Sequence, residues 1–268
     1  MTRIIIDADR PLPAGINYPF FDEAGALPRR TLYGRSPHLI PFGEAYPDKL
    51  VDPKDYKEVI AWCHERKIFP MYHQQATWGP PGFRWNQNGL NYCWIWSLAG
   101  AFMTDRAIEG KPTILLSPVS LGRIVNWKNA GNYLEDAVAG FREYGLCEME
   151  FTPNQHSRSP KTFRDGWEAN ALQNRLGDTW DTPDDSLAVR IQYMISILKT
   201  GTAIYDAHNW WGHATSVVGV VWDESQKNNL RVIERNSHDE DDLIELTGDR
   251  AIPDEMIGIC SSLTDVAA

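Results

Sequence analysis

The chain has 268 residues, of which 43% are hydrophobic and 23% are charged, and its formal net charge at pH 7 is −10. This composition predicts a folded protein with a substantial core and excludes a chain that is disordered throughout. The acidic balance, without a long basic run, argues against non-specific binding to nucleic acid or to anionic membranes.

The apolar segments and the cysteines indicate an intracellular protein. The N-terminal apolar run, Ile4–Ile6, is followed at once by Asp7, so it is too short for the core of a signal peptide. No stretch of the sequence is long and apolar enough to span a membrane. The four cysteines are widely scattered: Cys63, Cys93, Cys147 and Cys260. Because they lack both the paired spacing of a zinc site and the density of a disulfide framework, we expect free thiols, a cytoplasmic or other intracellular location, no cofactor and no bound metal.

Residues 1–68 are predicted to form an N-terminal extension that consists of an arm and a helix. Prolines recur throughout residues 1–50 and break any regular period, which predicts an extended arm with short strands. A helix is predicted to begin at Asp52 and Pro53, since these residue types are typical of an N-cap and a first helical position. It is expected to end near Lys67.

The segment Trp85–Phe102 joins a polar, glycine-containing loop to a run that is apolar or small at almost every position. The apolar run predicts a helix that is buried on all sides, because no face is left for water. Cys93 would lie in the first turn of that helix. There the helix dipole and the unpaired backbone N–H groups favour the thiolate, which is the nucleophilic form of cysteine. Gln87, six residues upstream, would offer a side-chain amide to an oxyanion formed beside Cys93.

The rest of the chain divides into a helical part and a β-rich part. Helices are predicted over residues 133–144 and 186–199, and each is followed by a glycine that ends it. Strands are predicted over residues 202–205, 213–222, 230–234 and 256–260. A helical half followed by a β-rich half is typical of α+β lobes that meet at a cleft.

His213 opens the second of these strands, and Asn236 follows the third. If the two strands are adjacent and antiparallel, the start of one lies beside the end of the other, so the two side chains are predicted to be neighbours. An imidazole near Cys93 would accept the thiol proton, and a carboxamide beside it would hold the ring in one tautomer and orientation.

Three segments taken together resemble the papain-like cysteine proteases. These are the Gln-x6-Cys-Trp segment from Gln87 to Trp94, the His-Ala segment at His213 with a Val-Gly pair after it, and the Asn-Ser dipeptide at Asn236. The resemblance implies an α+β, papain-like, two-lobed fold, with a helical left lobe built around a buried central helix and an antiparallel, β-barrel-like right lobe. The implied division is an N-terminal extension over 1–68 and a papain-like domain over 69–268, with the helical lobe at about 85–180 and the β-rich lobe at about 181–268.

The resemblance also implies roles for individual residues. Cys93 would be the nucleophile, His213 the base, Asn236 the residue that orients the base, and Gln87 a donor to the oxyanion. The segment that precedes the helix at 134 is similar to the family loop ending in Gly-Gly-Tyr, whose backbone pairs with an extended substrate. The implied substrate-binding residues are Gly131, Asn132, Tyr133 and Trp94, and the implied substrate is a peptide or a protein.

The sequence departs from the family pattern at several positions. Asn132 stands where the family has a second glycine, so a side chain would narrow the cleft. His238 replaces the aromatic residue that usually follows Asn-Ser, and the Gly-Trp-Gly pattern beyond it is replaced by acidic residues. Leu90 occupies the position of a disulfide partner.

Three functions are therefore open. The leading interpretation is a cysteine endopeptidase of papain type that uses a Cys-His-Asn triad. The second is a structural or assembly protein of papain fold with little or no turnover, whose proline-rich N-terminal arm binds a protein partner. The third, a cell-wall amidase of the NlpC/P60 or CHAP type, fits less well, since those families differ around the cysteine and often have a histidine as third member.

Overall fold

The computed structural model describes residues 4–7, 50–77, 85–87, 90–112, 114–125, 131–155, 159–183, 186–237 and 243–261. Six α-helices lie in these ranges: α1 (Tyr56–Glu65), α2 (Cys93–Ile108), α3 (Pro118–Ile124), α4 (Leu134–Tyr144), α5 (Trp167–Ala171) and α6 (Leu187–Leu198). The strands are β1 (Ile4–Asp7), β2 (Thr179–Asp181), β3 (Ile204–His208), β4 (His213–Trp222), β5 (Leu230–Arg235), β6 (Leu243–Thr247) and β7 (Glu255–Ile259). None of the described helices has the length and apolar character needed to cross a membrane.

The strands form one sheet in the order β1-β6-β5-β4-β3-β7-β2. β1 runs parallel to β6, whereas the other five neighbouring pairs are antiparallel. β3 and β4 form a hairpin whose last pair joins His208 to His213. The combination of helices with a mainly antiparallel sheet confirms the predicted α+β class.

The central helix α2 is buried along most of its length, as predicted. Every residue from Cys93 to Asp105 is buried. The helix lies against β4 and is joined to it by two side-chain hydrogen bonds: Ser97 Oγ donates to Ala214 O at 2.6 Å, and Ser216 Oγ donates to Ser97 O at 2.9 Å. Full burial stabilises the fold by about 1.5–3 kcal/mol for each large apolar side chain. The packing of α2 therefore fixes the position of its first residue, Cys93.

Two apolar clusters flank the sheet. One contains α2 together with buried residues of α3 and α4, and the other contains buried residues of α1 and α6 against the opposite face. β4 contributes to both because its side chains alternate: Ala214 lies in the first cluster and Val217 in the second. A shift in register between Val217 and Gly219 then leaves Val220 in the second cluster as well.

The described part of the predicted N-terminal extension packs against the sheet. Ile60 and Cys63 of α1 are buried in the second cluster, and one ring nitrogen of His64 lies 2.8 Å from Val220 O. At the far edge of the sheet, the backbone of β1 pairs with β6. The remaining residues of the predicted arm lie outside the described ranges, and the boundary at residue 68 stays a prediction.

Candidate active site

Cys93 is the first residue of α2, and it is completely buried. The preceding residue, Tyr92, has an extended φ of −139° and makes no side-chain capping bond to the helix. The first N–H groups of a helix have no acceptor within the helix, and the helix dipole is positive at this end. The position therefore favours negative charge on the sulfur.

His213 and Asn236 are joined by a hydrogen bond. His213 Nε2 lies 2.8 Å from Asn236 Oδ1, and the same Oδ1 accepts a hydrogen bond from the backbone N–H of Ser237 at 2.8 Å. The backbone donor identifies that atom as the oxygen, so Nε2 carries the proton in the bond to Asn236. Nδ1 is then the ring nitrogen that is suited to accept a proton. Both side chains are buried.

The helix–strand contact brings Cys93 and His213 to the same end of the structure. Ser97 lies one helical turn after Cys93 and therefore on the same face of α2. Ser97 donates its hydroxyl to the carbonyl of Ala214, the residue that follows His213. The starts of α2 and β4 therefore lie side by side, and a meeting of the thiol with the imidazole stays a prediction.

Gln87 is held at this site by Ser237. Its backbone N–H donates to Ser237 O at 2.9 Å, and its side-chain Oε1 accepts from Ser237 Oγ at 2.5 Å. Nε2 donates to Leu90 O at 2.5 Å. A carboxamide nitrogen carries two protons, so a second one is available for a ligand. Ser237 is part of the Asn-Ser dipeptide in the sequence pattern, but its bonds to Gln87 were not predicted.

The predicted substrate-binding residues lie at the start of α4 and at the start of α2. Gly131, Asn132 and Tyr133 are half-buried, and Tyr133 is the residue that precedes α4. Burial raises the pKa of Asp136 in the first turn of α4, and the Asn132 side chain opposes the change. Their contact with substrate stays a prediction. Trp94, in the first turn of α2, is fully buried, and its contact with substrate also stays a prediction.

Burial controls the acid–base behaviour of the site. It lowers the pKa of His213 to about 4, although the hydrogen bond with Asn236 opposes the change; a positive charge on His208 lowers the pKa further. At neutral pH the ring is therefore neutral. Burial also raises the pKa of Cys63 and of Cys147 to about 11, so both are inert thiols. All four cysteines lie within the described ranges, and none forms a disulfide.

A second group of polar side chains is buried beside His213, and no local pattern in the sequence predicts a role for it. It consists of Asp206 and His208 on β3, Thr215 on β4 and Glu234 on β5. Asp206, His208 and Glu234 each offer one atom that could bind a metal ion, and these three atoms lie within 4.8 Å of one another. A second, partly exposed set with the same spacing consists of Asp105, Glu109 and Cys260. These are the sets of described residues with the spacing to hold a metal ion. The buried set already forms hydrogen bonds internally.

Comparisons with known proteins bear on the fold. No family model matches the chain, and no curated protein matches it. Among solved structures, digestive procathepsin L 3 of Tenebrio molitor larval midgut superposes with a TM-score of 0.54 and 14% identity over 65% of each chain. Xylellain, a cysteine protease from Xylella fastidiosa, gives a TM-score of 0.52 and 16% identity over 69% of this chain and 85% of its own.

A third solved structure agrees with these two. The Carica candamarcensis cysteine protease CMS1MS2 gives a TM-score of 0.50 and 14% identity over 70% of this chain and 96% of its own. The match spans less than two thirds of the procathepsin L 3 chain. At such identities the likeness establishes the architecture rather than the activity. In architecture, the protein is a divergent member of the papain fold.

Proposed function

We propose that this protein is a cysteine peptidase of papain type, which hydrolyses peptide bonds of a peptide or protein substrate through Cys93. The observation that carries the proposal is the 2.8 Å hydrogen bond between His213 and Asn236 at the end of β4 that adjoins the start of α2. A buried imidazole with one nitrogen fixed by a carboxamide has the other nitrogen oriented for proton transfer.

The reaction would begin with proton transfer from Cys93 Sγ to His213 Nδ1. The thiolate attacks the substrate carbonyl carbon, and the carbonyl oxygen becomes an oxyanion. Gln87 Nε2 and the backbone N–H of Cys93 would donate to this oxyanion, and each such donor is commonly worth about 2.7–4 kcal/mol in the barrier. The imidazolium of His213 then returns its proton to the leaving amine. Water hydrolyses the thioester, with His213 accepting a proton from the water and returning it to the sulfur.

The low pKa of His213 affects the order of these events. Since burial favours the neutral ring, the resting pair is a thiol beside an imidazole, and the ion pair forms as the substrate is attacked. The helix N-terminus stabilises the thiolate, and the bond to Asn236 stabilises the imidazolium.

A structural or assembly role is the second candidate, and the burial of the site favours it. Cys93 and His213 are 0% and 2% exposed, so a substrate reaches the sulfur only if a neighbouring segment moves. The pairing of β1 with β6 supplies a place where an N-terminal arm could bind a protein partner. In this alternative, the Cys-His-Asn group would be retained without turnover.

An epoxysuccinyl thiol probe followed by peptide mass spectrometry tests the proposal. The probe should label Cys93 in the wild type and in Cys260→Ser, which is the matched control because Cys260 is the most exposed of the four thiols. Cys93→Ser should remove the label, and His213→Gln should slow its formation. The same proteins are then incubated with a mixture of peptides. Cleavage that depends on Cys93 supports the peptidase, whereas labelling without any cleavage favours the structural role.

A further inference from the structure

The buried polar group beside His213 is centred on His208. Asp206, His208, Thr215 and Glu234 are each fully buried. His208 and His213 are directly opposite each other across the β3–β4 hairpin, which places their side chains on the same face of the sheet. His208 is therefore the cross-strand neighbour of the proposed base.

The Thr215 hydroxyl forms hydrogen bonds with two buried carboxyl groups. Thr215 Oγ1 lies 2.8 Å from Asp206 Oδ2 and 2.8 Å from Glu234 Oε2. A hydroxyl has one proton and can donate to only one of them, so the other carboxyl must donate to the hydroxyl. Burial, together with the charge of Glu234, raises the pKa of Asp206 well above its usual range, so Asp206 carries the proton. Asp206 Oδ1 also accepts the backbone N–H of Val217 at 2.8 Å.

Glu234 is left as the carboxylate that holds His208. Its Oε1 lies 2.6 Å from His208 Nε2, a short distance that is typical of a charge-assisted bond. Burial alone would lower the pKa of His208, but Glu234, through its charge and its hydrogen bond, makes the largest opposing contribution, and the pKa is raised to about 9. His208 Nδ1 lies 3.2 Å from Trp210 Nε1. That contact is a hydrogen bond only when Nδ1 has no proton, so it conflicts with the raised pKa. Both observations put a proton on Nε2, and the bond to Glu234 holds in either state.

Aromatic rings connect His208 to His213. The two residues are joined by the four-residue loop 209–212. In that loop the Trp210 and Trp211 rings stack at 5.6 Å, and the Trp211 ring lies 4.7 Å from the His213 ring, measured between centroids. His208 contacts both tryptophan rings, at 5.8 Å and 6.2 Å. On the outer side, the guanidinium of Arg250 covers the Trp210 ring at 5.3 Å.

We propose that His208, held by Glu234, is a positioning residue for His213: it fixes the Trp210–Trp211 pair against which the His213 ring packs, and so keeps His213 Nε2 on Asn236. A ring held by one hydrogen bond can rotate away from its partner, whereas a ring packed against a fixed indole cannot do so without disturbing that indole. When His208 is protonated, its positive charge also opposes a second charge on His213. The contacts alone carry the positioning role, and its meaning for catalysis rests on the proposed function.

Three variants separate the parts of this role. His208→Gln keeps a neutral N–H donor for Glu234 and removes the charge. His208→Leu removes both the donor and the charge. Glu234→Gln removes the carboxylate that holds His208. The matched control is His64→Gln, because His64 also binds β4, through Val220 O at 2.8 Å, but at the opposite end of the strand.

The first measurement is the nitrogen chemical shift of His213 during a pH titration, which requires no substrate. In the wild type, the proton should lie on Nε2, and the ring should stay neutral at pH 6. In His208→Gln, the tautomer should be retained and the ring should titrate at higher pH. In His208→Leu, the two tautomers should mix. Glu234→Gln should change the His213 titration, and His64→Gln should not.

The second measurement is the rate at which iodoacetamide alkylates Cys93 at pH 6. His208→Leu should lower it by about 2- to 30-fold, the range found for residues that act through a network, whereas His208→Gln should stay close to the wild type. If His208→Leu does not fold, His208→Gln and Glu234→Gln still decide. An unchanged His213 tautomer and titration in every folded variant would overturn the positioning role. A Cys93 that reacts no faster than Cys63 would instead overturn the proposed function, and the titration would still test His208.

Discussion

Selective alkylation of Cys93 is the sharpest prediction of the proposed site. Only the thiolate reacts with iodoacetamide at a useful rate. With pKa values of about 11, Cys63 and Cys147 are thiolates in about one molecule in ten thousand at pH 7. If proton transfer to His213 ionises Cys93 in even about one molecule in a hundred, Cys93 reacts about a hundredfold faster than either of them.

The assay uses limiting iodoacetamide between pH 5 and pH 9, followed by peptide mapping. The background is Cys260→Ser, since a partly exposed thiol would otherwise compete for the reagent. His213→Gln should reduce the advantage of Cys93 most strongly at low pH, where an unaided thiol is protonated. The reasoning is refuted if Cys63 or Cys147 is labelled before Cys93, or if His213→Gln leaves the ratio unchanged.

Three further predictions concern stability. A Cβ at Gly145, where φ is +75°, would lie 1.8 Å from Ala171 O, so Gly145→Ala should lower the free energy of unfolding in urea by more than about 1 kcal/mol. Gly110→Ala, with φ +72° and nothing within 4 Å, measures the backbone strain alone and should cost less. Burial raises the pKa of Asp105 to about 6, so the wild type loses stability as pH rises through 4 to 6; Asp105→Asn should therefore gain up to about 3 kcal/mol at pH 8 and nothing at pH 3. Deleting residues 1–7 should lower the melting temperature, because β6 loses its parallel partner. A separate prediction concerns self-cleavage: the full chain should keep its mass during long incubation under reducing conditions. Cys93-dependent clipping would indicate a zymogen instead.

The parts of the fold that the sequence predicts are those whose signal is local. The helix α2 could be predicted because an unbroken apolar run leaves no solvent-facing side, and β4 and β5 because each is a short run of β-branched residues with turn residues around it. The pairing of His213 with Asn236 followed from adjacent antiparallel strands. In contrast, β2 has three residues within an irregular segment, and β6 follows the acidic residues 239–242, so neither has a clear period.

Long-range partners could not be predicted in the same way. The parallel pairing of β1 with β6 joins residues about 240 positions apart, and nothing near either strand specifies it. The role inferred for His208 has the same origin, because a lone histidine in a strand has no local signature. Its significance depends on Glu234, 26 residues away, and on the indoles that lie between it and His213.

The hydrogen bond between His213 and Asn236 is shielded from water. A hydrogen bond between imidazole and carboxamide orients the ring best where water cannot compete for either partner. In this chain the residue after Asn236 and Ser237 is His238, which lies outside the described residues. Yet the His213 ring is 2% exposed and packs at 4.7 Å on Trp211, which comes from the β3–β4 hairpin rather than from the end of β5. Since exclusion of water depends on what surrounds the bond and not on which strand supplies it, Trp211 can shield the His213–Asn236 pair from the side of the β3–β4 hairpin.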